Sequence, residues 1–309
     1  MNEYPIIVDT DPGIDDAVAF VVLRHYCPER VALILSGYGN VPLDRATNNA
    51  LTMREELSWD VPVVRGAREE DGRYEDAAHI HGVDGLGGLG RDYPEGTAIG
   101  GDYLAIVYEA ICAAGAVDYL TLGPLTNLAR LMQRYPDVKN RIRRVVTMGG
   151  GIGMGNVTPC AEFNIHCDAE SADYVFREAN ELVLVPLNVT TSVAFQPEQI
   201  ERMTEADTPL CRLLREILLA NYRACVKFGE PGSTMHDSTA ALCLLFPELF
   251  GLERCGVSTD CGAEHYGETV RDGSRENILL AVSVDPQELL GKIAGCVAPV
   301  TSRRNGEGN

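Results

Sequence analysis

Long hydrophobic runs are missing from this chain. The most extended, such as Ala17 to Leu23, falls far short of the roughly 20 apolar residues that a bilayer-crossing helix needs, so no membrane span is expected. The first residues, Met-Asn-Glu-Tyr-Pro, lack the basic and apolar regions of a signal peptide, and a cytoplasmic location is the expectation. Positive charge is scarce: 26 Lys and Arg stand against 45 Asp and Glu, a formal net charge of −19 over 309 residues. That balance opposes binding to nucleic acid or anionic membranes, both of which depend on clustered Lys and Arg. Neutral or cationic small molecules suit it better. Ten cysteines contain no Cys-x-x-Cys, and the nearest pairs, Cys160 with Cys167 and Cys255 with Cys261, match no zinc spacing. Buried free thiols are expected instead. There is no Pro/Ser-rich linker, low-complexity segment or repeat, and neither G-K-[ST] nor G-x-S-x-G occurs.

The chain does carry an alternation of two patterns. Runs rich in Val, Ile and Leu recur at Ile6 to Val8, Val31 to Leu35, Val61 to Val64, Tyr119 to Leu122, Val145 to Met148, Leu182 to Leu187 and Ile278 to Val284. Most lack polar alternation, as strands buried on both faces of a parallel sheet do. Between them, Asp16 to Tyr26, Tyr103 to Ala114 and Ala169 to Ala179 carry helical periodicity. The order predicts a Rossmann-like open α/β fold around a mostly parallel central sheet. The 45% apolar content supports a sizeable core, and a single domain over residues 1–309 is the simplest partition, with about 303–309 as a frayed tail. The mostly helical segment from about Gln196 to Phe250 is expected to form a cap or insertion near the ligand site.

In such folds ligands sit beyond the carboxyl ends of the strands, and the unusual polar residues follow strands here. Asp9, Asp11, Asp15 and Asp16 follow the first; Gly39-Asn40 follows the second; Asn127, the 149–156 glycine run and Asn188 follow later ones. Four carboxylates within the eight positions of "DTDPGIDD" repel one another unless a cation neutralises them. A hard divalent ion such as Ca²⁺ suits an all-oxygen set, whereas zinc would want His or Cys nearby. Position 12 of an EF-hand loop counted from Asp9 is Phe20, which excludes that motif. Asp15 or Asp16 can serve as a helix cap, but capping leaves Asp9 and Asp11, two apart and expected on one side of the strand, without an account.

"MHDSTAAL" at 235–242 sets His236 and Asp237 at the start of a helix, where the Asp alone reads equally as an N-cap. "AEFN" at 161–164 offers Glu162 and Asn164, on one side if extended, as an acceptor and donor pair for sugar hydroxyls, though loop polarity alone accounts for them equally well. "GLGGLG" at 85–90 fits G-x-G-x-x-G by letters, but no apolar strand precedes it and Pro94 interrupts any helix after it.

Together, "DTDPGIDDA", "GYGN", "HIHGVDGLGG", "LGPLTNLA", "MGGGIGMGN", "AEFNIHCD", "VPLNVT" and "MHDS" resemble the nucleoside hydrolases, the inosine-uridine preferring N-ribohydrolases. They stand in the family's order across nearly the whole chain. The resemblance implies that family's fold and hydrolysis of ribonucleosides to ribose and free base. It implies a Ca²⁺ held by Asp11, Asp16, Asp237 and the main-chain carbonyl of Leu122, with Asp11 taking the proton of a metal-held water. Asp15 and Asn164 would hold the ribose 2′-hydroxyl and Asn156 and Glu162 the 5′-hydroxyl. Asn40 and Phe163 would line the sugar pocket. His81 and His236 would lie on the base side, with His236 a candidate to protonate the leaving base and Tyr222 and Phe228 candidate base contacts. A homodimer or homotetramer is implied as well. Two positions depart from the family: Asn188 stands where Asp is usual, and Ser238 where Pro is common. Two other classes fit parts of the pattern. One is a Ca²⁺-dependent nucleoside or pentose binder without turnover. The other is a dehalogenase-type phosphotransferase with Asp9 as nucleophile.

Overall fold

Ile and Val on both faces of the first run leave it no solvent side, and Ile6–Thr10 (β1) is buried along its whole length. In the computed structural model, which describes residues 4–69, 74–273 and 276–297, eleven strands and twelve α-helices follow in turn. The expected tail at 303–309 lies outside the described residues. After β1 come Ile14–Tyr26 (α1), Val31–Ser36 (β2), Leu43–Glu56 (α2), Val63–Arg65 (β3), Ala78–His81 (α3), Tyr103–Ala114 (α4), Val117–Thr121 (β4) and Thr126–Arg134 (α5). The middle of the chain gives Ile142–Met148 (β5), Phe163–Cys167 (α6), Ala169–Glu178 (α7), Leu182–Val185 (β6), Leu187–Thr190 (α8) and Ala194–Phe195 (β7). Pro197–Met203 (α9), Pro209–Lys227 (α10), Ser233–Thr234 (β8), His236–Leu245 (α11), Phe250–Thr259 (β9), Thr269–Asp272 (β10), Ile278–Val284 (β11) and Pro286–Val297 (α12) complete it.

Nine strands form one sheet in the order β10-β9-β11-β6-β5-β4-β1-β2-β3. From β11 to β3 every neighbouring pair is parallel, and β9 and β10 add an antiparallel edge. Side chains alternate between two apolar layers: Ile6 and Val8 of β1 join one with α1, α10, α11 and α12, while Ile7 joins the other with α4, α5 and α7. Each fully buried aliphatic side chain contributes about 1.5–3 kcal/mol relative to exposure. The Rossmann-like expectation therefore holds.

The structure differs from the sequence expectation in several places. β9, "FGLERCGVST", is not expected from the sequence, because Glu253 and Arg254 face solvent in its middle and break the apolar run. The segment expected as a cap divides: α10 packs against α3 and β8, but α11 lies against α1 and β5 as part of the fold's body. The ten cysteines are all unpaired, but five are buried, four half-buried and Cys261 exposed, so burial holds for only part of the set. Among the described residues no helix is long and apolar enough to cross a membrane.

Candidate active site

The sheet order reverses between β1 and β4, since the chain winds outward one way through β2 and β3 and the other way through β5 and β6. At such a switch point two adjacent strand ends diverge into loops on opposite faces and leave a crevice. Asp11 follows β1 there, and Leu122 follows β4. Helix α1 opens beside them with Asp15 and Asp16 in its first turn.

Asp16 is the capping carboxylate. It accepts from Gly13 N (2.8 Å), from Asn40 Nδ2 (3.1 Å) and from the Thr10 hydroxyl. Asp11 Oδ2 accepts the main-chain N–H of Asn40 at 2.6 Å, whereas its Oδ1 is buried and without any hydrogen-bond partner. The carboxylates of Asp15, Asp16 and Asp237 place ligand atoms within 4.8 Å of one another. Burial first, and then the facing carboxylates, hold Asp11 and Asp237 well above the usual carboxylate range, and burial with Asp16 raises Asp15 to about 7. Two glycines make room: a Cβ on Gly123 would come within 2.5 Å of Asp11 Oδ1, and one on Gly39 would collide with Asp11 Oδ2. An orphaned buried oxygen, a concentration of like charge and an all-oxygen donor set fit a hard divalent cation.

Asp9 does not belong to this set. β1 ends at Thr10, so the expected shared face is lost, and Asp9 instead accepts from Tyr119 OH (2.9 Å) and Asn127 Nδ2 (2.8 Å). Burial raises its pKa to about 7 in spite of those two bonds. It ties β1 to β4 and α5, which removes it as a phosphotransferase nucleophile.

Above the aspartates opens a cavity of about 700 Å³. Asp15, Asn40, Asn164, Glu162, His236 and Asp237 are among the residues lining it, together with Leu122, Asn156, Phe163 and His81. Glu162 caps α6, accepting from the N–H groups of Asn164 (3.0 Å), Ile165 (3.1 Å) and Gly150 (2.9 Å); burial outweighs these bonds and raises its pKa. Asn164 Nδ2 donates to the Leu122 carbonyl at 2.7 Å. Asn156 Oδ1 accepts from Phe163 N at 2.9 Å. Burial lowers the pKa of His81 to about 3, aided by His236, and that of His236 to about 4. Ile14 N donates to His81 Nδ1 at 3.1 Å, which leaves the proton of the neutral ring on Nε2.

A family model of the inosine-uridine preferring nucleoside hydrolases matches residues 6–291. The chain belongs to that family. It is 37% identical over 290 residues to the non-specific ribonucleoside hydrolase RihC of Escherichia coli O1:K1, covering 91% of this chain and 94% of the relative. Among solved structures it is similar to a purine-preferring ribonucleoside hydrolase from Gardnerella vaginalis (TM-score 0.91, 24% identity, 97% and 99% of the two chains). A plant nucleoside hydrolase, PpNRh1, gives a TM-score of 0.86 at 25% identity over 95% and 98%. The chain is thus a nucleoside N-ribohydrolase, and the binder without turnover falls away.

In this nucleoside hydrolase the expected site residues come to one place, with Asp11 and Asp16 beneath the cavity floor rather than on its wall. Phe228 lines the cavity as expected, but Tyr222, on α10, is half-buried and packs against the apolar core and is not among the cavity's lining residues. His79 and Asn221, on helices, and Glu230, in the loop after α10, also line it; sequence reasoning misses them, because a pocket-facing polar residue carries no local mark. Asn188 accepts from Ile152 N (2.8 Å) and donates to Ile152 O (3.1 Å). A carboxylate at that position could not make the second bond, so the departure fastens the glycine run from β5. Nothing in the structure explains Ser238, whose buried hydroxyl has no partner.

Proposed function

We propose that this nucleoside hydrolase works with Ca²⁺ held by Asp11, Asp16, Asp237 and the Leu122 carbonyl. The observation that carries the reading is Asp11 Oδ1, a buried carboxylate oxygen with no partner in a cluster of like charge. Calcium takes six to eight oxygen ligands and tolerates irregular geometry, which suits carboxylates, a carbonyl, water and a vicinal diol. When bound, the ion would make its water more acidic and anchor the ribose hydroxyls.

The residues of the chain do the rest. Asp11 removes the proton from the attacking water. Asp15 and Asn164 hold the 2′-hydroxyl, with Asn164 oriented by its bond to Leu122 O. Asn156 and Glu162 hold the 5′-hydroxyl, and Asn40 and Phe163 close the sugar's sides. The concentrated negative charge stabilises the oxocarbenium character that develops as the N-glycosidic bond breaks. His236 and His81 stand on the base side, His236 placed to protonate the leaving nitrogen. Among the described residues no Lys or Arg lines the cavity, so a 5′-phosphate has no cationic partner and nucleotides are poor substrates.

We infer a broad base preference, covering pyrimidine and purine ribonucleosides. The cavity's breadth and the non-specific character named for the RihC relative support it. The test is a panel of ribonucleosides with and without chelator, followed by reducing-sugar release. Turnover of both classes, lost on chelation and restored by Ca²⁺, is expected. Undiminished turnover after complete metal removal would overturn the metal assignment.

A further inference from the structure

The structure brings together a second group of metal-ligating side chains that the hydrolytic site does not use. Cys160, His265 and Glu268 each offer one donor atom, all within 4.8 Å of one another. Cys160 Sγ is 4.0 Å from His265 Nδ1, and His265 Nδ1 is 3.6 Å from Glu268 Oε2. None of the three lines the nucleoside cavity. With metal–ligand bonds of about 2.0–2.3 Å, tetrahedral donors stand roughly 3.5 Å apart. The His265–Glu268 pair already stands near that spacing, and the Cys160–His265 pair reaches it with a closure of about half an ångström.

The backbone holds the donors in place. Ala161, the neighbour of Cys160, bridges Glu268 across an antiparallel pair. Glu268 N donates to His265 O at 2.9 Å, which folds these two donors into one turn. On the other side, Thr158 Oγ1 accepts from Ala161 N at 2.9 Å and so fixes the bend that presents Cys160. Two segments more than 100 residues apart therefore offer their donors to one point without ordering a disordered loop.

We propose that Cys160, His265 and Glu268 form a binding site for Zn²⁺ or a similar borderline-soft divalent ion, separate from the aspartate site. A thiolate, an imidazole and a carboxylate form a zinc-type donor set, with a fourth position left for water. Calcium, which takes oxygen ligands, has no use for two of the three. Occupation would clamp the 156–161 loop, which carries Asn156 to the cavity mouth, onto the 260–268 turn. Zinc bound there stabilises the fold by binding the native state alone.

The experiment uses the whole chain with Ca²⁺ at saturating concentration, so that the aspartate site is not open to the second metal. Cd²⁺ titration of the wild type should give the ultraviolet charge-transfer band of a cadmium–thiolate bond, and Cys160→Ser should lose it. In competition with a chromophoric chelator, the wild type should bind Zn²⁺ at least ten-fold more tightly than Cys160→Ser, His265→Ala or Glu268→Gln. Zn²⁺ should raise the thermal midpoint of the wild type and leave that of Cys160→Ser unmoved. Ribonucleoside turnover by the metal-stripped variants after Ca²⁺ is restored checks that they fold. Absence of the band, or a band of equal strength in folded Cys160→Ser, would overturn the site.

Discussion

The hydroxyl of Thr190 lies 2.7 Å from Nδ1 of His236, so one ring nitrogen of the base-side histidine is engaged by the fold. Thr190 stands at the end of the short helix α8 and is fully buried. With Thr190 donating to Nδ1, the neutral ring carries its proton on Nε2, the tautomer that the proposed transfer to the leaving base needs.

If His236 is the proton donor, its removal should matter only where the leaving group needs a proton. His236→Ala is expected to lose on the order of 10²-fold or more in kcat on uridine and little on a nitrophenyl riboside, whose leaving group departs as a stable anion. Equal losses on both would leave His236 a packing role. Thr190→Val should show a milder loss with the same selectivity, since it disturbs the ring's orientation and not its presence.

Asp11 combines a bonded oxygen with an orphaned one, and the two can be separated by substitution. Asp11→Asn keeps the volume and removes the charge and the base. Turnover is expected to fall by about 10²–10⁴-fold with the fold intact, and Ca²⁺ affinity measured by calorimetry should fall in parallel. Wild-type affinity in that variant would remove Asp11 from the ligand set.

Discrimination against 2′-deoxyribonucleosides should be severe. The 2′-hydroxyl is assigned to Asp15 and Asn164, and a site built around a hydroxyl rejects the analogue without it by about 10⁴–10⁵-fold in kcat/KM. Comparable kcat/KM for uridine and deoxyuridine would contradict the assignment.

Gly123 is required for its lack of a side chain. In Gly123→Ala the new methyl would sit 2.5 Å from Asp11 Oδ1, and either the loop after β4 or the carboxylate must move. Overpacking of this kind costs about 1–3 kcal/mol. A shift of the base by 1 Å can cost about 10²-fold in rate. A variant with wild-type activity and thermal midpoint would show that the crevice has slack.

The sequence by itself determined the parallel part of the sheet, from β11 to β3, and the end at which the site lies. Apolar runs without alternation mark strands buried on both faces, and the polar residues that come after them mark the loops where such sheets bind ligands. It also determined that Asp11, Asp15 and Asp16 would be near one another, because they are neighbours along the chain. Tertiary structure alone decided that Asp9 is a structural residue, since the Tyr119 and Asn127 that bind it are 110 and 118 positions away. The Gly13 bond that makes Asp16 the capping carboxylate spans only three positions, but its further donor Asn40 comes from the loop after β2, and only the fold supplies it. The spacing of Cys160 along the chain spoke against zinc, and only the pairing of Ala161 with Glu268 brings His265 and Glu268 to it. The physical reason is common to these cases. Hydrophobic period is a local property of the chain, whereas the partner of a buried polar group is chosen by whichever distant segment the fold lays beside it.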